Sequence, residues 1–591
     1  MTIKVGPERF ALVLIKPSHY DDQGYVLQWL RSAIPSNTLA VLYGLALDCG
    51  ERRILGDNVT IELTALDETN TRIRPKRIAA QIKAAGHGMV GLVGVQSNQF
   101  PRAMDIAREL RAEGIQVCIG GFHVSGCLAM LPELTPELKE AQRLGVSLFA
   151  GEAEGRFEEV LRDAWAGALK PLYNYMNDLP NLEGVTPPIL PAFRVSRTGG
   201  RLSSFDAGRG CPFQCSFCTI INVQGRKSRH RSADDVERII RSNVTQGVIR
   251  FFITDDNFAR NKDWESIFDR LIKLREEDKM DIKFVIQVDT LCHRNPNFIA
   301  KAARAGVNRV FIGLESINPE SLIGAKKRQN KITEYREMVL EWRRVRVQTV
   351  AGYIIGFPND TRESILRDVD IIKRELPLDC LEFFSLTPLP GSEDHKVLFD
   401  KGVAMDPDLN NYDLEHFTTA HPRMSKEEWA RAYRDAWASY YSDEHMVTVM
   451  RRAAANDHWL PTTQFLLQWF RFCSGVEKIH PLEGGYLRRR YRRDRRPGMP
   501  IENPLTFYPR YVAETLHKHV EMVRLIRRMS KVRRRLARDP QARHYMDQAL
   551  TPPAEAELDR LDLFTVHDAA KSAVVKERHQ TEARIKRRAA V

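Results

Sequence analysis

The sequence predicts an α/β protein: two successive parallel-sheet units followed by a helical region. Three observations carry that expectation. Apolar strand-like runs alternate with amphipathic helical stretches from residue 8 to about 170, a second alternating series begins at Ser203, and from about Met424 the apolar residues recur at helical spacing. A chain of 591 residues is too long for one ordinary core, so two or three domains are expected.

In the first unit the candidate strands are Phe10–Ile15, Val59–Thr64, Met89–Val95 and Gln116–Ile119, with a helix at Arg102–Ala112 between the last two. The segment from Tyr173 to Leu202 is Pro-dense, with Pro180, Pro187, Pro188 and Pro191. A boundary belongs there. The predicted division is a first domain over 1–185 with a linker to about 202, a second over 203–400 and a third over 401–591. In the second unit Arg250–Thr254, Lys283–Gln287, Arg309–Gly313, Thr349–Ile355 and Cys380–Thr387 read as strands. With one more strand before residue 211 they fit a partial (β/α)6 barrel, whose chemistry gathers at the carboxyl ends of the strands. The third region opens on a capping-box pattern, Ser425 and Glu428 before Trp429. Within Tyr508–Ala537 the apolar stripe of Val512, Leu516, Val520 and Val523 is expected to pack against the body and leave the arginines exposed. The last ~25 residues read as a charged, weakly ordered tail.

Composition narrows the function classes. No run approaches the ~20 apolar residues of a membrane-spanning helix, and Phe10–Ile15 is too short for a signal sequence. Nine cysteines, scattered except for one cluster of three, fit a reducing compartment, so a cytoplasmic location is expected, with contact at a membrane surface left open. Much of the net charge of +13 lies late, with seven arginines between Arg488 and Arg496. Runs of like charge are usually solvated. Tyr486 and Tyr491 make a poor stacking platform for nucleic acid, which leaves an anionic membrane surface or an anionic substrate as alternatives.

Chemistry concentrates in Gly210-Cys211-Pro212-Phe213-Gln214-Cys215-Ser216-Phe217-Cys218. An iron–sulfur cube held by only these three thiolates, with no fourth nearby, would keep one iron open, unlike the four-cysteine ferredoxin runs. A structural zinc is the alternative, needing a fourth ligand such as His230. The CxxxCxxC pattern with Phe217 before its last cysteine resembles the radical S-adenosylmethionine (SAM) superfamily. Later motifs extend the resemblance over residues 200 to 395: Thr254-Asp255-Asp256-Asn257, Gly313-Leu314-Glu315-Ser316, Gly352-Tyr353-Ile354-Ile355-Gly356-Phe357-Pro358 and Thr387-Pro388-Leu389-Pro390-Gly391. The resemblance implies a 4Fe-4S cluster on Cys211, Cys215 and Cys218. It also implies SAM beside Phe217, Asp255, Asp256, Glu315, Gly352 and Gly356, an electron donor such as flavodoxin or ferredoxin, and a protein that positions the cofactors and excludes competing reactions. Each strand-end motif alone also fits a tight turn or a loop-capping carboxylate.

The first unit resembles the flavodoxin-like, Rossmann-like cobalamin-binding domain that precedes many radical SAM domains. The carrying residues are Val93-Gly94-Val95-Gln96-Ser97-Asn98, Cys118-Ile119-Gly120-Gly121-Phe122-His123-Val124-Ser125 and Gly151-Glu152-Ala153-Glu154. The resemblance implies cobalamin beside Gln96, Ser97, Asn98, Gly120, Gly121, His123, Ser125, Gly151 and Glu152, on the loops after the strands. The Asp-x-His-x-x-Gly motif that supplies a cobalt ligand elsewhere does not occur, so an open or water-occupied lower face is expected. A domain of this fold without a ligand is the alternative. The pair of cofactors implies methylation of an unactivated carbon of a small-molecule or lipid-like substrate. Oxidative cyclisation or rearrangement without methyl transfer is the second enzyme reading, and a non-catalytic cobalamin or redox sensor with a basic nucleic-acid-binding region is the reading from another class.

Overall fold

The computed structural model describes residues 7–455, 460–551, 561–572 and 574–575, so most of the C-terminal tail lies outside the described residues. The first apolar run forms the strand Glu8–Lys16, whose residues 10 to 14 are buried on both faces, as a central parallel strand requires. It pairs in parallel with Val59–Asp67 on one side and Gly86–Leu92 on the other. Gln116–Gly120, Ser147–Ala150 and Leu172–Asn174 complete the sheet. The last two strands have only four and three residues, too short to show a pattern in the sequence.

Leu12, Leu14 and Cys118 share one core with the helices Asn37–Glu51 and Phe157–Trp165, while Val13 and Ile119 share a second with Pro75–Ala85, Phe100–Ala112 and Phe122–Met130. Successive connections leave the central strand Glu8–Lys16 toward opposite sides. That reversal opens a crevice at the carboxyl ends of the strands.

The second sheet is parallel throughout and runs in sequence order: Leu202–Phe205, Arg250–Ile253, Lys283–Val288, Val307–Glu315, Gln348–Ile355 and Cys380–Ser385. This is the six-stranded α/β arrangement expected of a partial barrel. Between its last strands a Cβ on Gly352 would stand 2.8 Å from the Phe311 ring and 3.2 Å from Phe384. Glycine there lets both rings occupy the space over the strand.

The C-terminal region is mainly helical, and Lys426–Tyr440 opens with the expected capping box between Ser425 and Glu428. Two expectations for this region are corrected. The arginine run is not a solvated charge block: Gly485–Arg489 is a strand that pairs antiparallel with Gln28–Ser32. Its neighbours are absorbed in ion pairs, Arg488 and Arg490 with Asp21, Arg496 with Asp408, and Arg72 with Asp494. Acidic partners far away in sequence, invisible to a local charge count, neutralise it.

The second correction concerns the helix Pro504–Arg538, which packs through Phe507, Leu525 and Met529. The stripe expected to pack lies on its other face, and Leu505, Val512, Leu516, Val520 and Val523 are 82, 52, 62, 47 and 44% exposed. The helix carries two apolar stripes, and periodicity cannot say which of them meets the body.

Candidate active site

The three motif cysteines lie on the loop between the short strand Gly208–Arg209 and the helix Ile220–Val223. Gly210 sits at φ +87°, where a Cβ would strike the Lys227 carbonyl oxygen at 2.5 Å, so the loop begins on a conformation that favours glycine. The Cys211 N–H then donates to the Gly225 carbonyl and the Cys218 N–H to that of Cys215. Cys215 is buried and the other two are half-buried, whereas the remaining six cysteines are all buried elsewhere.

Burial pushes the Cys211 thiol up to about 11 and the Cys218 thiol up to about 12, with Asp256 and Cys215 adding to both. The thiols thus share one electrostatic neighbourhood. Among the described residues, however, the group of three ligand atoms within 4.8 Å of one another lies elsewhere, at His123, Cys127 and Glu137. A tetrahedral zinc with ~2.3 Å bonds to sulfur would hold its thiolates closer than that. The wider spacing and the half-buried mouth suit a polynuclear cluster, and the donors fit the group the sequence implies.

The expected SAM-site residues divide into two groups. Phe217, Asp256 and Glu315 gather beside the cysteines. Phe217 packs against the cluster of Ala325, Ile354 and Phe357 at the strand ends, and Lys327 lies 5.7 Å above its ring. Lys327 also ion-pairs with Glu315. Burial pulls its pKa down, but Glu315 and Cys215 outweigh that and raise it, so it stays a fixed positive charge beside the thiols. Gln329 Nε2 donates to Cys215 Sγ at 3.4 Å. Neither Lys327 nor Gln329 carries a sequence signal, because both come from a loop after Glu315.

Asp255 and Gly356 also have structural partners of their own. Both carboxylate oxygens of Asp255 are engaged: one accepts from the backbone N–H of Ala207 and of Gly208, the other from Asn261. It clamps the first two strands of the barrel together, which leaves Oδ2 with a single protein donor. Gly356, at φ +114°, would place a Cβ 2.0 Å from the Trp429 ring. The C-terminal helix packing on that corner demands glycine there. Burial pushes both Asp255 and Asp256 up to about 7.

In the N-terminal sheet a cavity of about 170 Å³, open to solvent at its mouth, runs from the strand ends down between the sheet and the helices Asn37–Glu51 and Phe157–Trp165. Thr38, Val41, Gly94, Phe149 and Phe157 give it an apolar wall of small and aromatic groups. Gly120, Gly121, Ser125, Gly151 and Glu152, all expected from the sequence, line it. The glycines at the strand ends and the apolar wall behind them are the kind of lining that the face of a flat corrin would need.

The other expected cobalamin residues, Gln96, Ser97, Asn98 and His123, are not part of the cavity lining. Gln96 caps a short turn, and Asn98 Nδ2 reaches Glu483 at 3.4 Å. Ser97 Oγ stands 3.1 Å from His123 Nδ1, and His123 points away from the cavity to pack on Phe100. Among the described residues that line the cavity there is no histidine. Glu152 reaches the lining, but its carboxylate is bound by Arg209 and Arg229. Arg209 also holds Glu154 at 2.5 Å and Asp206 at 3.2 Å. This buried network, in which removing one partner of a pair typically costs about 3–5 kcal/mol, ties the first sheet to the base of the cysteine loop.

A three-cysteine loop at the carboxyl ends of a six-stranded parallel barrel, behind a sheet with a slot for a large cofactor, defines a radical SAM enzyme with an additional N-terminal α/β unit. Residues 207–372 match the profile of the Radical SAM superfamily, and this part of the chain is a radical SAM domain, the kind that carries a 4Fe-4S cluster and SAM. The chain is similar to the bacteriochlorophyllide d C-12(1)-methyltransferase of Chlorobaculum tepidum, with 26% identity over 69% of this chain and 85% of that one. It is also similar to the hopanoid C-2 methylase of Rhodopseudomonas palustris, with 22% identity over 56% of this chain and 61% of that one. Among solved structures it shares its fold with the radical SAM methyltransferase TsrM of Kitasatospora setae with cobalamin and cluster bound: TM-score 0.51, 15% identity, 79% of this chain and 99% of that one. It shares it also with the cobalamin-dependent enzyme OxsB: TM-score 0.51, 12% identity, 92% of this chain and 83% of that one.

Proposed function

We propose that this chain methylates an unactivated carbon of a small-molecule or lipid-like substrate, with cobalamin held by residues 1–185, cluster and SAM by residues 203–400, and the substrate covered by residues 401–591. One observation carries the reading. Val223 and Gln224 line the N-terminal cavity, and the next residue, Gly225, accepts the Cys211 N–H. The two cofactor sites therefore share one loop.

When bound, SAM and the cluster supply hydrogen abstraction from carbon, and cobalamin supplies the methyl group. The protein supplies position and exclusion. Arg209, Glu152 and Glu154 fix the cobalamin unit against the cysteine loop. Lys327 and Gln329 brace Cys215 and its surroundings. Phe311 meets Phe384 edge to face, and Phe384 and Phe217 both pack on Ala325, Ile354 and Phe357, an apolar patch that would help to exclude water at the strand ends. The relatives named above, methyltransferases of a bacteriochlorophyllide and of a hopanoid, support C-methylation of a large apolar molecule over cyclisation. With anaerobically reconstituted enzyme, a flavodoxin or ferredoxin as electron donor and bacteriochlorophyllide or hopanoid as trial substrate, a labelled SAM methyl group is expected in the product, with 5′-deoxyadenosine formed alongside. A product altered in mass without the label would replace methylation by cyclisation or rearrangement.

Among the described residues no helix is long and apolar enough to cross a membrane, so apposition to a bilayer would rest on a surface element. The free apolar face of Pro504–Arg538 supports an anionic bilayer as its occupant, because the helix carries ten Lys or Arg against two Glu. Arg527 and Lys531, one and two turns beyond Val523, are exposed on the side of the stripe, whereas Arg510, Arg524 and Arg528 are ion-paired with Glu502, Glu521 and Asp443. Each cation near such a surface contributes about 1 kcal/mol of attraction. Full-length enzyme is expected to cosediment with phosphatidylglycerol vesicles and not with phosphatidylcholine vesicles, and Leu516→Glu with Val523→Glu to lose at least ~10-fold in binding. Failure to bind, together with a concentration-dependent dimer that the same substitutions dissociate, would assign the face to a second copy of the chain.

A further inference from the structure

We propose that His123, Cys127 and Glu137 form a zinc site on the rear of the helix that lines the corrin cavity. His123 and Cys127 stand four residues apart on Phe122–Met130, so their side chains lie one above the other on one face. Glu137 comes from the first turn of Pro136–Arg143. One ligand atom from each lies within 4.8 Å of the other two. A zinc ion needs nitrogen at ~2.0–2.1 Å, sulfur at ~2.3 Å and oxygen at ~2.0–2.2 Å, so a small contraction of the trio would complete three of its four positions.

Two features separate this trio from an ordinary buried polar contact. His123 Nε2 is buried and makes no hydrogen bond, although Glu137 Oε1 is only 3.3 Å away. The two atoms lie close enough to interact but are poorly aligned for a hydrogen bond, an arrangement that a shared cation would satisfy. The other ring nitrogen is already engaged: Nδ1 stands 3.1 Å from Ser97 Oγ. A histidine anchored through Nδ1 presents Nε2 as the metal ligand, and such outer partners set its orientation. Glu137 is anchored in turn by the Thr135 hydroxyl at 2.5 Å. The set of nitrogen, sulfur and carboxylate oxygen suits zinc among common divalent ions, and its thiol would lose its proton on binding. Glu137 is part-exposed, which gives the ion a route from solvent, while His123 and Cys127 are about 1% exposed.

The position gives the site a purpose. On the opposite face of the same helix Phe122 and Ser125 line the cavity, and Gly126 packs so closely on the barrel that a Cβ would meet the Pro390 carbonyl oxygen at 2.2 Å. His395, from the neighbouring barrel helix Glu393–Asp400, lies near enough to feel the charge of His123, although burial is the larger cause that pulls its pKa down to about 4. An ion here would fix a helix that contacts both cofactor units, and His123 would serve zinc instead of cobalt.

The test is metal analysis of the full-length enzyme, with zinc counted separately from iron and cobalt. After incubation with zinc chloride and gel filtration, about one zinc per chain is expected to remain. His123→Ala and Cys127→Ser should each lose it while keeping iron content and the wild-type far-ultraviolet circular dichroism. Glu137→Gln, at a part-exposed position where folding is safe, should weaken zinc retention by ~10-fold or more. Added zinc should raise the melting temperature of the wild type and not of Cys127→Ser. Wild-type protein that retains no zinc, or variants that retain it as the wild type does, would overturn the site.

Discussion

Alanine at Cys211, Cys215 or Cys218 is expected to leave a folded protein that forms no 5′-deoxyadenosine from SAM. The triple substitution should also leave it without iron after anaerobic reconstitution. The magnitude follows from the chemistry: the other six cysteines are buried at separate places in the core and offer no replacement thiolate. The fold should survive, because Cys211 and Cys218 are only half-buried and Cys215 is a small side chain. Unfolding midpoints should then stay close to wild type while iron falls to background. Alanine at Cys49, Cys118, Cys127, Cys292, Cys380 or Cys473, one at a time, should keep iron at the wild-type level. Iron content and SAM cleavage retained by the triple variant would end the radical SAM reading of the loop.

Filling the N-terminal slot should abolish methyl transfer and leave SAM cleavage intact. Val41 stands on the cavity wall, on the helix that faces the sheet. A tryptophan there would project into space that the bound cofactor needs. Overpacking costs typically about 1–3 kcal/mol, and the open slot gives the larger ring somewhere to go, so the variant should fold. Val41→Trp is expected to bind less than a tenth of the wild-type cobalamin while its iron content and 5′-deoxyadenosine formation persist. The wild type loaded with cobalt(II) cobalamin should show no nitrogen splitting from a lower protein ligand in its paramagnetic resonance spectrum. A triplet splitting that disappeared in His123→Ala would put the imidazole on cobalt, and the cavity assignment would need revision. Unchanged cobalamin content in Val41→Trp would place the cofactor elsewhere.

The sequence by itself determined the elements whose physics is local. Phe10 to Ile15 read best as a buried strand because six consecutive apolar residues leave neither face for water and the run is short. Ser425 and Glu428 started a helix because a hydroxyl and a carboxylate three residues apart satisfy the free N–H groups of its first turn. The cysteine loop was legible because its ligands sit within eight residues of one another. Gly120, Gly121, Ser125 and Gly151 were legible on the cavity wall because small residues at parallel strand ends are where ligands approach an open sheet.

Only the tertiary structure decided the rest, since each remaining choice depended on a partner distant in sequence. Asp255 looked like a ligand-facing carboxylate, and in the fold it also holds Ala207, Gly208 and Asn261. Gly356 resembled a nucleotide-side glycine, and Trp429, more than seventy residues on, shows what else requires it. Lys327 and Arg209 carried no motif, although one sets the charge beside the cysteines and the other joins the two sheets. The helix Pro504–Arg538 had two apolar stripes of equal periodicity, and which one met the body was a property of the body. Local pattern fixes what a segment can become; the surfaces that fold against it decide which of its side chains remain free to act.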